Sequence, residues 1–422
     1  MFWVIECYEQ LEKLQLKEYR SAFIEIIPYN DLLHPSLNNI SLIYLKPIES
    51  KKAYILCLDH SESLSLNFSD VENFLKTYEN LYVRNKKQFL HYFQLNSSID
   101  ILYNCPNLEQ ITNNVYQHFY NLYPNNLEIN KIIPITKHYE KFELIYKNIK
   151  PYFPSERNKF NDKADIVFFY IENNGFNIEQ PLFTEYYGNI NQMFNIRFKT
   201  CYTQYNLHTL TRRPSNSFNG INFAALNKED GVRKCFIPSN NKFIEIDFSA
   251  YHPFLVSQLV NYNFEKPIYE TFSKYSGLSL EESKKEVFRN LYGNINKKYK
   301  DWEFFKKTQI YINELWNKFN SEGFIKDEIS GHIFDKEKLE NMNPNKLFNY
   351  VLQLKETTNN VLIMWDIIKI LRGKNTKIVL YCYDSMLFDF DKNEQETMEK
   401  IYEYLRENNL NFKIKIGENY NF

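Results

Sequence analysis

The chain has 422 residues, a formal net charge of -1, 44% hydrophobic and 24% charged residues. That length is too great for one small core and predicts two or three domains. The composition is that of a globular chain, and the balanced charge excludes a uniformly basic surface while leaving room for local basic patches. Two such patches stand out, Arg197 to Lys242 and Lys284 to Lys307.

In chain order, residues 1–120 read as α/β. "SAFIEIIPY", "ISLIYLKPI" and "KAYILCLDH" have the Ile, Tyr and Phe content of strands, and "DVENFLKTYENLY" and "NKKQFLHYFQL" have helical spacing. Residues 121–200 are less regular, with a helix over "KHYEKFELIYKNIKPYF" stopped near Pro151. Then "KTCYTQYNLHTLT" reads as strand, "SNSFNG" as turn and "KFIEIDF" as strand. "SLEESKKEVFRNLYG" is a helix opened by a Ser279–Glu282 capping box and closed at Gly293. A long helix over "LFNYVLQLKETTNNVLIMWDIIKILRG" precedes a hairpin, "TKIVLYCYDSMLFDFD", and a last helix, "ETMEKIYEYLREN". Antiparallel strands mixed with helices predict an α+β class.

Cys7, Cys57, Cys105, Cys201, Cys235 and Cys382 are widely spaced, without a CxxC pair or a zinc pattern. The opening "MFWVIECYEQLEKLQ" carries Glu6 and Glu9 where a signal peptide needs a basic and then an apolar run. The apolar stretch near "VLIMW" is too short for a bilayer. The expectation is a reducing, cytoplasmic setting, no membrane and a monomer.

Two groups of residues carry chemistry. Asp247 ends a strand and Asp384 sits at a hairpin tip, and strand ends and hairpin tips can meet. Two carboxylates there suit divalent cations that take oxygen ligands; taken singly, an Asp in a turn is ordinary turn chemistry. On the helix after Ser279, Lys284, Phe288 and Tyr292 stand at i, i+4 and i+8 and share one face. A cation followed by two rings suits a nucleoside triphosphate, and an amphipathic stripe has the same spacing.

"SKKEVFRNLYG" resembles motif B of family A DNA polymerases, K-x3-F-x3-Y-G. "EIDFSAYHPFLV" resembles their motif A, "YCYDSMLFDF" their motif C, "TLTRRPSNSFNGINFAAL" the stretch before motif A, and "VLQLKETTNNVLI" the helix before motif C. The order is the family's, over about residues 200–422. The resemblance implies a right-hand palm, fingers and thumb that add dNTPs to the 3′-OH of primer–template DNA. Asp247 and Asp384 become catalytic metal ligands for two Mg²⁺ (or Mn²⁺), with the Phe248 carbonyl beside them. Lys284, Phe288, Tyr292, Tyr251 and His252 become the nucleotide pocket. Arg212, Arg213, Gln353 and Tyr383 become primer–template contacts. Three positions depart from the pattern: the motif A glutamate falls at His252, the motif C glutamate at Ser385, and a fingers arginine at Leu280. RNA or primer synthesis on the same fold, or an inactive nucleic-acid-binding protein, are the alternatives.

The N-terminal layout resembles an RNase H-like 3′–5′ exonuclease domain that has lost its chemistry. Only Glu25 remains of F-D-x-E, and "NKKQF", Asn85 to Phe89, lacks the Asp. The expected division is a degenerate exonuclease-like domain at 1–120, a helical thumb or connecting region at 121–204, and palm with fingers at 205–422, without proofreading.

Overall fold

A computed structural model describes residues 1–104, 116–124, 126–188, 195–197, 199–216 and 221–422. The chain forms two compact units, residues 1–208 with 216–237, and residues 209–215 with 238–422. Cys105 and residues 217–220 of the expected turn lie outside the described residues. Cys7, Cys57, Cys201, Cys235 and Cys382 form no disulfide among the described residues, and no described helix is long and apolar enough to cross a membrane.

The first unit is built on a six-stranded sheet. Its strands are β1 (Phe2–Ile5), β2 (Ser21–Pro28), β3 (Ile40–Pro47), β4 (Ala53–Cys57), β5 (Asn80–Val83) and β6 (Ser98–Asp100), in the order β1-β4-β3-β2-β5-β6. β2, β3 and β4 form an antiparallel run, while β5 joins β2 and β6 joins β5 in parallel. Every residue of β3 and β4 is buried, so both faces are covered. The period of two sorts the side chains. Ile24, Leu45, Leu56 and Leu81 enter one core with Val71 and Phe74 of the Phe68–Leu75 helix. Phe23, Tyr44 and Ile55 enter the other with Phe142, Ile145 and Ile149 of the Ile135–Ile149 helix.

The expected strands and the helix over 135–149 are present, and two expectations are corrected. "DVENFLKTYENLY" is not one helix: Phe68–Leu75 is helical, but Asn80–Val83 is a strand. Pairing of Phe23 with Tyr82 along an open sheet edge outweighs the local helical spacing there. "KTCYTQYNLHTLT" supplies only the short pieces Thr200–Cys201 and Tyr205–Asn206, because this stretch serves mainly to seat buried polar groups.

One such group is Glu172, on the helix Lys159–Asn173. It accepts from the Lys87 ammonium at 2.6 and 2.8 Å and from the Tyr205 backbone N–H at 2.6 Å. His34 and His91 complete a set with the outline of a metal site. The chemistry of the set favours lysine instead. His34 donates from Nε2 to the Thr203 carbonyl and accepts the Ser36 N–H at Nδ1, so it has no free lone pair to give a metal. Burial pushes His34 down to about 3, and the Lys87 ammonium already compensates Glu172.

The second unit carries a four-stranded antiparallel sheet ordered Lys377–Cys382, Ser385–Phe390, Lys242–Phe248, Phe412–Gly417. The last of these was not anticipated from the sequence. The Pro344–Ile370 helix is 27 residues, about 40 Å at the usual rise. It packs on the helices Tyr251–Leu259, Leu280–Tyr292, Glu303–Glu322 and Gln395–Glu407. Gly373, at φ 72° beyond the last turn, closes it as expected, while the other end lies earlier than the sequence suggested, at Pro344, with Asn343 capping the Lys346 N–H.

Glu172→Gln strands the buried Lys87 ammonium and is expected to cost about 3–5 kcal/mol, read as a lowered urea midpoint. An unchanged midpoint, or a rise in Tm when Zn²⁺ is added to the native chain, would show that lysine is not the intended occupant of this pocket.

Candidate active site

The register of the second sheet brings the two carboxylates together. Asp247 stands directly opposite Ser385, the residue after Asp384, and the Phe248 N–H donates to the Asp384 carbonyl at 2.8 Å. Neighbouring strands lie about 4.8 Å apart, so residues 247 and 384 share one end of the sheet. Burial first, and then the Asp247 charge, hold the Asp384 carboxyl above its usual range. Such a pair, made of oxygen donors only and in electrostatic conflict, fits a hard divalent cation.

The chain leaves this end of the sheet through strained backbone. Ala250, at φ 52°, opens the helix Tyr251–Leu259, and Tyr383, at φ 59°, precedes Asp384. Neither is glycine, and a left-handed residue with a side chain costs about 1–2 kcal/mol. The Phe248 side chain is buried and packs on Tyr251, the ring centres 4.8 Å apart and the planes tilted by 38°.

The Leu280–Tyr292 helix divides its faces as expected. Ser283, Val287, Asn290 and Leu291 are buried, while Lys284 is exposed and Tyr292 is 38% exposed. The rings of Phe288 and Tyr292 are parallel, 5.9 Å apart and 7° from coplanar. Ser279 and Glu282 form the capping box. Gly293 closes the helix in an extended conformation, not a left-handed one. A Cβ there would lie 2.9 Å from the Arg289 carbonyl, so close approach is what requires glycine.

The remaining candidates meet on one face of the long helix, at Gln353, Glu356 and Asn360, spaced i, i+3 and i+7. Gln353 accepts from the Thr211 hydroxyl at 3.0 Å. Glu356 is buried, with Arg213 Nε 2.8 Å from Oε2 and His252 Nε2 3.0 Å from Oε1. His252 Nδ1 in turn pairs with the Tyr292 hydroxyl. The Arg213 guanidinium lies 3.7 Å over the Tyr383 ring. Asn360 accepts from the Tyr251 hydroxyl and donates to the Tyr383 carbonyl. Arg212 is separate: at φ 59°, it donates to His332 Nδ1 at 3.1 Å, and burial and this arginine push His332 down to about 4.

The sequence reading passed over three residues. Glu356 was hidden in "KETTNN", although a polar run inside an otherwise apolar helix was a usable signal. Lys415 stands opposite Glu245 and lies 3.4 Å from Asp247 Oδ2; alternation along "FKIKIG" could have marked it. Tyr269 is pushed up to about 12 by burial and then by Asp384, and no local pattern points to it.

No known protein family pattern matches the sequence, and no curated protein does. Among solved structures, the chain is similar to the POL domain of Pol1 from M. smegmatis, solved in complex with DNA primer-template and dNTP. The TM-score is 0.71 at 9% identity, with 100% of this chain and 99% of that chain covered. The fold is therefore a polymerase POL-domain fold, as the family A resemblance implied. Since the match takes in the whole chain, it does not set an exonuclease-like domain apart.

The raised Asp384 carboxyl gives a stability test with a definite sign. The native state holds that proton more tightly than the unfolded chain does, so ionisation weakens the fold as pH rises through the raised value. At neutral pH without divalent cations, Asp384→Asn is expected to raise Tm by about 2 °C. Adding Mg²⁺ should stabilise the native chain more than this variant, and a lowered Tm for Asp384→Asn would refute the strain assigned to the pair.

Proposed function

We propose that this chain is a template-directed DNA polymerase that adds dNTPs to a primer 3′-OH. The observation that carries the reading is the register placing Asp247 beside Asp384, in a chain with a POL-domain fold. The primer-template and dNTP of the similar structure are consistent with the same partners here. The new bond joins the primer oxygen to the α-phosphorus, and the bond from that phosphorus to pyrophosphate breaks. Asp247, Asp384 and the Phe248 carbonyl would hold two Mg²⁺ (or Mn²⁺), which would supply charge stabilisation at the reacting phosphate.

The chain's own residues do the positioning. Lys284 offers a point charge for the triphosphate, and the parallel rings of Phe288 and Tyr292 offer a surface for the base. Tyr251 supports the floor through Asn360, and His252, tied to Tyr292, crowds the place of a ribose 2′-OH. Arg213, Arg212, Gln353 and Tyr383 serve the primer–template. Ser385, directly after Asp384, favours a second reading, RNA or primer synthesis, because a serine at that place also resembles the single-subunit RNA polymerases.

The N-terminal unit reads as a nuclease-like sheet without nuclease chemistry. The run of three antiparallel strands followed by two parallel ones supports that assignment. Arg84, just after β5, grips Glu25, with Nη2 3.1 Å from Oε2. A fixed guanidinium therefore stands against the one acid that the nuclease pattern retains. We assign residues 1–120 to this domain, 121–204 to a connecting region and 205–422 to palm and fingers.

Primer extension with dNTPs tests the central claim. Asp247→Ala and Asp384→Ala are each expected to lower extension at least about a thousandfold while primer–template binding persists, and Lys284→Ala to raise the KM for dNTP. Native-like extension by either aspartate variant removes the assignment, and faster use of rNTPs without a primer selects the RNA-synthesis reading.

A labelled primer with a mispaired 3′ end should keep its length in Mg²⁺ without dNTPs. Prompt shortening would mean that the first unit is a working nuclease.

A further inference from the structure

Five residues from five separate segments form one continuous relay in the second unit: Tyr383, Arg213, Glu356, His252 and Tyr292. Under the polymerase reading, its two ends face different ligands. Arg213 and Tyr383 belong to the primer side, and His252 and Tyr292 to the nucleotide side. Glu356 touches Arg213 on the primer side and His252 on the nucleotide side through its own carboxylate.

Its state is unusual. The carboxylate is 1% exposed and is claimed by a guanidinium and an imidazole at once. Arg213 Nε and Glu356 Oε2 lie 2.8 Å apart without the in-line geometry of a hydrogen bond, and so do His252 Nε2 and Glu356 Oε1 at 3.0 Å. The one aligned bond is longer, from Arg213 Nη2 to Oε1 at 3.5 Å. Buried polar atoms in native structures are normally satisfied, and groups joined in one buried network alter the strength of one another's bonds. Arg213 and His252 thus share one carboxylate, and the other ring nitrogen of His252 meets the Tyr292 hydroxyl.

We propose that Glu356 is a positioning residue that couples the primer end to the nucleotide pocket, transmitting the placement of Arg213 through His252 to Tyr292. The inference rests on the polymerase reading above. It also accounts for His252 at the position where the resemblance expects a glutamate: the carboxylate is present, but it reaches the pocket from the long helix and acts through the imidazole.

The test is a double-mutant cycle on kcat/KM for the correct dNTP, using Arg213→Ala and His252→Ala in the native chain and again combined with Glu356→Gln. In the native chain, the combined loss is expected to fall short of the product of the separate losses by about tenfold. With Glu356→Gln, the two losses should multiply within about twofold. A merely structural glutamate would lower stability without changing this non-additivity. Should Glu356→Gln fail to fold, Glu356→Asp, which withdraws the carboxylate by one methylene, is read in the same cycle. Additive losses in the native chain, or non-additivity that survives the Glu356 substitution, overturn the coupling and leave the polymerase reading intact. Absence of any extension by the native chain overturns that reading, and the coupling with it.

Discussion

Two like charges held at one end of a β-sheet are the constraint around which the second unit is arranged. The ladder opposing Asp247 to Ser385, and the Phe248 N–H bond to the Asp384 carbonyl, leave these carboxylates little freedom to separate. A slip of one residue would turn Asp247 to the other face of the sheet. The apolar residues on both sides of the strand, Phe243, Ile244, Ile246 and Phe248, resist that slip because every one of them is buried. Hydrophobic packing thus maintains an arrangement that electrostatics alone would push apart, and burial first, then the Asp247 charge, raise the Asp384 carboxyl there.

The backbone shows the same tension. Ala250 and Tyr383 adopt left-handed conformations next to the two acid-bearing segments, and Arg212 does so beside Arg213. Strain of this kind persists only where surrounding contacts over-determine it. Here the tilted ring contact of Phe248 with Tyr251 fixes the turn after Asp247, and Asn360 fixes the Tyr383 carbonyl. Both supports lead back to the long helix, which explains why polar residues interrupt its apolar sequence. Glu356, Thr357, Thr358 and Asn360 are all buried, and each occupies a position that a leucine would fill in a helix serving only as core.

Much of this was legible before any coordinates. The β-branched and aromatic content of "KFIEIDF" and "KIVLYC", a capping box at Ser279, and the i, i+4, i+8 spacing of Lys284, Phe288 and Tyr292 are local signals, and local signals survive folding. What could not be read depends on pairing between distant segments. Asn80–Val83 becomes a strand because β2 offers it an edge. Lys415 reaches Asp247 because the last strand pairs with the third segment of the sheet in one register among several. Gln353 was singled out on the long helix, yet Glu356, one turn on, meets Arg213 and His252. Helical spacing gives a face but not the depth at which that face sits, and burial is what turns a common glutamate into the hub of a network.

The departures from the family pattern make sense together once charge is counted by place in space and not by motif. Glutamates are missing at His252 and Ser385, yet Glu356 lies close enough to add to the field that raises Asp384. Glu245 adds another carboxylate two residues before Asp247, paired with Lys415. Negative charge in this region stands on a helix and in the interior of a strand, where partners of opposite charge hold it. Under the coupling proposed above, a carboxylate acting through Arg213 and His252 is adjusted by whatever displaces Arg213, whereas one standing at residue 252 itself would not be. On that reading, a histidine where the resemblance expects a glutamate makes the acid adjustable and does not remove it.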